Sequence, residues 1–285
     1  LDVEYFTFFQ EESSFNVVVL PLVIISWKQE KMSSWNADAF LKMKKLRLLR
    51  VFNLPNTHDL KYLSDELRLL DWNHYPLRSL PSSFQPANLV ALLLPHSRIE
   101  QLWKGKLVRK FTSFYTCLPF RILLSRRIRY FYCCFQQHLE KLKLVDLKGC
   151  KNLTKTPDFT MAPNLESLNF EGCIKIVDVH PSIALLRRLK LLNLRDCKRL
   201  RSLPTNIAMQ SLEILILSGC SNLERLPDQF DGEMECLIKL YLDGTGIRDL
   251  PSVIGNLSGL MLLDLEDCKN LASLPSSISG LKCLK

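Results

Sequence analysis

The sequence predicts an α/β solenoid: short parallel strands stacked into one sheet on a concave face, with irregular or short helical segments returning along the convex face. Two observations predict it. A ladder of leucines returns along the chain, as in "LVDLKGCKNLTKTPDF" from Leu144, "LLNLRDCKRLRSLPTN" from Leu191 and "LLDLEDCKNLASLPSS" from Leu262. One small residue then recurs at the same point of each copy, at Cys150, Cys173, Cys197, Cys220, Thr245 and Cys268, separated by 23, 24, 23, 25 and 23 residues. A fixed period of this length is the mark of a stacked-repeat architecture.

The pattern L-x-x-L-x-L-x-x-[C/T/S/Y]-x-x-L-x-x-L-P fits at least eight times, and it is that of a leucine-rich repeat. Looser copies come first, at Leu46, Leu49, Val51 and Leu54. The next has Leu67, Leu70, Trp72, Tyr75, Leu77, Leu80 and Pro81, and it is followed by Leu89, Leu92, Leu94, Ser97, Ile99 and Leu102. In L-x-L the chain runs as a strand, so alternate side chains point to opposite faces. The leucines go inward, and the chain then turns and drops Leu and Leu-Pro into the core. One repeat cannot bury its own apolar face, but stacked neighbours bury it for each other.

The recurring cysteine is expected to be a core residue at this turn, where a small side chain with a weak donor fits and Ser or Thr can replace it. Zinc needs ligands converging on one point. Cysteines in successive coils form a row instead, so no metal site or cofactor is expected.

Composition permits a large core, with 47% hydrophobic residues and only 10 glycines in 285. The net charge of +9 invites a nucleic-acid or membrane reading, but its distribution is uneven. From Lys106 to Gln137 there are seven basic residues, eight aromatic residues and three cysteines, with no acidic residue. The step from Ser97 to Cys150 is 53 residues where one repeat needs about 23. Removing 106–137 brings "IEQLWKG" and "HLEKLKLVDLKGC" into register. Three readings are open for that stretch: a basic-aromatic insertion binding nucleic acid or an anionic membrane, a loop tolerated on the convex side, or translated intron sequence. The abrupt change in composition at both ends favours the last. The organisation expected is therefore a non-repeat segment at 1–34, repeats at 35–105, the insertion at 106–137, and repeats at 138–285. The final "LKCLK" begins a further repeat and stops, and the chain begins without Met, so a fragment is expected. No basic signal segment opens the chain, and the apolar run Val17 to Ile25 is broken by Pro21 and too short to span a bilayer.

"LRLLDWNHYPLRSLPSSFQPANLVALLLPHSRIEQLWKG", Leu67 to Gly105, closely resembles the first repeats of plant intracellular disease-resistance receptors that join a TIR domain, a nucleotide-binding domain and leucine-rich repeats. So do "WNADAFLKMKKLRLLRV" before it and "LKGCKNLTKTPDF" and "LSGCSNLERLPD" after it. The Asp-Trp-x-x-Tyr-Pro-Leu run is much narrower than generic repeats, and the likeness covers Trp35 to Gly105 and His138 to Lys285. It implies a cytoplasmic or nucleocytoplasmic sensor in defence signalling. Such a region contacts a pathogen effector or a guarded host protein and holds its own nucleotide-binding module inactive. The TIR and nucleotide-binding activities belong to other domains, and no G-x-x-x-x-G-K-[ST] loop occurs here.

Recognition is expected on the outward strand positions: Asp71 and Asn73; Asp146 and Lys148; Asn169 and Glu171; Asn193 and Arg195; Lys239, Tyr241 and Asp243; Asp264 and Glu266. Tyr241 and Arg195 are of the types that anchor interfaces. Catalysis finds no support. His58, His74, His96, His138 and His180 are scattered, and none is expected beside a Ser or Cys nucleophile and a carboxylate. Glu266 with Asp267 reads as a pair of solvated charges. The alternative is an extracellular receptor ectodomain or secreted inhibitor, which the sequons Asn152-Leu-Thr and Asn256-Leu-Ser would suit. A repeat regulator attached to an enzyme is a third reading. Sequencing the mature transcript across codons 105–138 is expected to show a message lacking the codons for 106–137. A message retaining them under all conditions contradicts the intron reading.

Overall fold

The computed structural model describes residues 2–12, 16–26, 37–52, 60–103, 139–230 and 234–285. Its strands, in chain order, are β1 (Asp2–Glu12), β2 (Asn16–Ser26), β3 (Leu48–Phe52), β4 (Leu69–Trp72), β5 (Ala91–Leu93), β6 (Leu144–Asp146) and β7 (Ser167–Asn169). They continue as β8 (Leu191–Asn193), β9 (Asn206–Ile207), β10 (Ile214–Ile216), β11 (Gln229–Phe230), β12 (Lys239–Tyr241) and β13 (Leu262–Asp264). Among the described residues one sheet has eleven strands in the order β1-β2-β3-β4-β5-β6-β7-β8-β10-β12-β13. From β2 to β13 every neighbour pairs in parallel. This is the expected solenoid, one short strand per coil.

The strands are short because only the L-x-L of each coil is extended. In β5, β7, β8 and β10 the middle residue is buried and its two neighbours look outward. Leu92, Leu168, Leu192 and Leu215 fill the interior from those middle positions. The ladder continues to the third residue past the strand. The Leu94 amide donates to the Asp146 carbonyl (2.8 Å) and the His96 amide to that of Lys148 (2.6 Å). The same bonds link Leu147 to Asn169 and Gly149 to Glu171.

The chain then turns inward at a residue with left-handed backbone. His74, His96, Gly149, Gly172, Asp196, Gly219, Gly244 and Asp267 all have φ between 53° and 70°. Each stands just before the recurring small residue, so the turn that defines the period sits one position before the cysteine. At Gly149 the requirement is double. The φ is +68°, and a Cβ would lie 2.3 Å from Nδ1 of His96, which folds over it from the preceding coil.

The column of small residues holds adjacent coils together. The Cys150 thiol donates to the Leu94 carbonyl (3.3 Å), Cys173 to Leu147 (3.1 Å), Cys197 to Phe170 (3.3 Å), Cys220 to Leu194 (3.1 Å) and Cys268 to Leu242 (3.0 Å). Ser97 and Thr245 occupy the same column, with Ser97 Oγ 3.0 Å from Cys150 and Thr245 Oγ1 3.3 Å from Cys268. Tyr75 fills it in an early coil. Its ring meets Trp72 edge-on at 5.2 Å, and its hydroxyl donates to the Ser79 carbonyl. The Asp-Trp-x-x-Tyr motif therefore marks a coil where two aromatic residues replace Leu and Cys in the interior.

Across the long step in sequence the stack is unbroken, since β5 pairs directly with β6. The insertion expected at 106–137 lies outside the described residues. A purely parallel sheet needs correction at its first edge, because β1 pairs antiparallel with β2. Those strands fall in the 1–34 segment that matches no repeat, and β2 nonetheless extends the sheet by pairing with β3. The back of the solenoid carries a helical turn at Pro181–Ala184, 3-10 turns at Ser252–Asn256 and Ser276–Gly280, and a two-stranded pair of β9 with β11.

Gly149→Ala is expected to lower stability by roughly 1–2 kcal/mol from left-handed strain alone, and by more from the contact with His96. In the column, Cys220→Ser is expected to cost about 1 kcal/mol or less, because Ser97 already serves there. Cys220→Leu overpacks the same site and costs about 1–3 kcal/mol or more. Urea unfolding measures all three, and equal costs for Ser and Leu would contradict the column's role.

Candidate functional site

The open face of the sheet is built from the outward position of every strand, aligned by register. The first outward row reads Leu69, Ala91, Leu144, Ser167, Leu191, Ile214, Lys239 and Leu262. The second reads Asp71, Leu93, Asp146, Asn169, Asn193, Ile216, Tyr241 and Asp264. Just beyond the strands lie Asn73, Lys148, Glu171, Arg195, Ser218, Asp243 and Glu266. All thirteen residues expected from the sequence are half-buried or exposed. Their side chains are not equally available, however.

Four of them complete their own turns. Asp146 accepts from the Lys148 amide (2.8 Å), Asn169 from Glu171 (3.1 Å), Asn193 from Arg195 (2.9 Å) and Asp264 from Glu266 (3.0 Å). A short side-chain acceptor placed two residues before a free N–H makes this turn. Others are paired across coils. Arg50 Nε lies 2.8 Å from Asp71, Lys148 Nζ 3.0 Å from Glu171, and Ser218 donates to Asp243. Asn73 Oδ1 is buried and unpartnered. Among the described residues, Arg195, Lys239, Tyr241 and Glu266 remain with side chains that join no ion pair.

The sequence reading overlooked the aliphatic first row. Leu144 is 37% exposed, and Leu69, Leu191, Ile214 and Leu262 are half-buried on the same side. In "LVDL" or "LLNL" these outward leucines look like rungs of the buried ladder. Counting in twos from the buried Val145 or Leu192 would have separated them.

The sequence placed no histidine beside a serine and a carboxylate, and here the structure corrects it. His180 Nδ1 is 2.8 Å from Ser182 Oγ and 3.7 Å from Asp158 Oδ1. The three converge because His180 caps the helical turn, with Nδ1 accepting from the Ser182 amide. Both partners meet the same ring nitrogen, whereas a relay needs the serine on one nitrogen and the carboxylate on the other. Ser182 is buried, and its Oγ accepts from the Phe159 amide (2.9 Å). Burial works to raise the Asp158 carboxyl, but hydrogen bonds from Thr160 and the facing His180 outweigh it and hold it below its ordinary range. The trio is a cap. Among the described residues no three His, Cys, Asp or Glu side chains group as metal ligands, and no helix is long and apolar enough to cross a membrane.

Stacked coils, a parallel sheet with one open face and a buried thiol column define the leucine-rich-repeat class, a protein-interaction fold. In solved structures, the leucine-rich-repeat domain of the type III effector XopL superposes with a TM-score of 0.53 over 86% of this chain and 68% of that one, at 24% identity, which shows the fold. The profile of RPS4B-like disease resistance leucine-rich repeats matches residues 208–284. The chain is 39% identical over 245 residues to Disease resistance protein RPP2A of Arabidopsis thaliana, spanning 83% of this chain and 16% of that protein. It is 36% identical over 246 residues to TMV resistance protein N of Nicotiana glutinosa, spanning 85% of this chain and 19% of that protein. The chain belongs with the leucine-rich-repeat regions of plant disease resistance proteins, and it spans less than a fifth of these relatives.

Burial pushes the Cys220 thiol up to about 12, and it raises Cys197 as well. At pH 8 Cys220 is held as the thiol rather than the reactive thiolate. Iodoacetamide is therefore expected to label the exposed Cys236 and Cys283 in the native protein, while Cys197 and Cys220 react only after unfolding. Because the folded value lies above the ordinary 9.0, the Cys220 contribution to stability is present below pH 9 and falls as pH rises towards 12. Peptide mass mapping decides, and rapid native labelling of Cys220 would contradict the buried column.

Proposed function

We propose that this chain is the non-catalytic recognition region of an intracellular plant immune receptor. Its open sheet face binds a pathogen effector or a guarded host protein. In the resting receptor the region also restrains the receptor's own nucleotide-binding module. The observation that carries this reading is the aliphatic row from Leu69 to Ile214, bordered by the polar row of Asp146, Asn169 and Asn193 and, beyond it, by Lys148, Glu171 and Arg195. An apolar centre with a polar rim is the anatomy of a protein interface. Tyr241 and Arg195 are the candidate anchors, and removing one costs about 2 kcal/mol or more of binding where it is a hot spot. Similarity to disease resistance proteins supports the immune setting and, with it, a cytoplasmic or nucleocytoplasmic location.

The test uses leaf tissue that responds to a pathogen through this gene. Leu191→Asp combined with Ile214→Asp is expected either to abolish the response or to leave it permanently on, at unchanged protein level. Thr160→Ala on the back is expected to leave the response as it was. An unaltered response from the double variant would overturn the reading. A glycan on the exposed Asn256 would overturn the intracellular location.

A further inference from the structure

Beyond the open face, the flank that follows the cysteine column holds a second concentration of charge. After Cys150, Cys173 and Cys197 the chain runs along one side of the solenoid, and these three runs lie in register. The Val177 amide donates to the Thr154 carbonyl (3.0 Å), the Arg201 amide to that of Val177 (3.1 Å), and Lys155, Asp178 and Ser202 form consecutive bridges. Equivalent positions therefore stand about 5 Å apart, the ordinary strand spacing. Exposed on this flank are Lys151, Lys155, Lys175, Lys198, Arg199 and Arg201, against one carboxylate, Asp178.

The open face of the same coils treats its charges differently. There Lys148 pairs with Glu171 (3.0 Å), and Lys143 and Lys190 both approach Glu166 (3.0 and 3.8 Å). None of the ion pairs among the described residues uses any of the six flank cations. Lys175 reaches only the amide oxygen of Asn152 (3.3 Å). Lys175 and Arg199 stand at equivalent positions of adjacent coils, where like charges repel, and among the described residues the flank itself offers them one carboxylate, Asp178, beside Lys155. In their midst sits an aliphatic centre. Ile174 is 37% exposed between Lys151 and Lys198, with Val177 half-buried behind it.

We infer that this flank is a second docking surface, for an acidic polypeptide that sets an apolar side chain among its carboxylates. The cations supply steering and orientation, and Ile174 supplies the anchor. The aliphatic centre favours a protein over a nucleic acid. Single strands need aromatic platforms for their bases, and none of the flank residues of these three coils is aromatic. A duplex backbone would press Ile174 against phosphates.

The test is fluorescence anisotropy with the whole chain and three probes: a Glu-rich peptide of about 20 residues with leucine at every fourth position, its Gln-for-Glu counterpart, and a DNA duplex of similar length, each at about 50 and 200 mM salt. The acidic peptide is expected to bind, more weakly at high salt, and the Gln peptide is not. Lys175→Glu with Arg199→Glu is expected to weaken binding by about tenfold or more. Ile174→Ser is expected to weaken it several-fold at both salt concentrations, and Tyr241→Ala on the open face to leave it unchanged. All four altered side chains reach the surface, and thermal melting confirms that each variant is folded. Failure of the acidic peptide to bind, an unchanged affinity in the charge-reversal variant, or tighter binding of the duplex would each overturn the inference. An unchanged affinity in the Tyr241 variant separates the flank from the open face, and a loss there as large as in the charge-reversal variant would overturn the inference.

Discussion

A thiol donating to a carbonyl of the coil before it is the contact on which the rest of the structure depends. Cys150 reaches Leu94, Cys173 reaches Leu147, Cys197 reaches Phe170 and Cys220 reaches Leu194. One such bond is worth about 1 kcal/mol net, so no single member is decisive. Repetition is what matters, because each coil contacts chiefly its neighbours and errors in one register pass to the next. The column admits only small side chains with a donor, or at an early coil a tyrosine whose hydroxyl finds its own carbonyl. Once the thiol is seated, the residue before it takes a left-handed turn and the strand before that is in register. The outward rows follow from the strand.

That dependence explains what was legible in the sequence. The period, the short parallel strands and the core position of the cysteines can all be read from it, because one small polar residue between leucines has few ways to be buried. The long step between Ser97 and Cys150 was legible for the same reason, and β5 and β6 do pair across it. The outward faces were read less completely. Leu144, Leu191 and Ile214 are chemically indistinguishable from core residues, and only their parity relative to Val145, Leu192 and Leu215 sends them to the surface. Asp146, Asn169, Asn193 and Asp264 look like free polar groups in sequence, yet each closes a turn two residues on. The meeting of Asp158, His180 and Ser182 joins adjacent coils on the back, where loop geometry varies and the repeat pattern is silent. The antiparallel pairing of β1 with β2 has no counterpart in the repeat at all.

The two faces of the central coils handle charge in different ways. On the sheet, cations sit beside carboxylates and leave an aliphatic row as the feature a partner can bury. On the flank after the column, cations gather around Ile174 and join no ion pair among the described residues. A solenoid makes such division easy, since each position of the repeat generates its own row and each row can diverge while the column keeps the coils together. The outward rows and the scaffold are thus separated within a single coil, with three residues between the strand and the thiol.

The column and its ladder make one continuous stack, including the junction where the sequence departs from the period. Hydrogen exchange at the Leu94 and His96 amides tests it most directly, since both donate to the coil of Cys150. Protection comparable to that of Leu147 and Gly149, which make the same bonds one coil later, is the result this account predicts. Exchange at Leu94 and His96 as fast as in an open loop, with Leu147 and Gly149 protected, would contradict it.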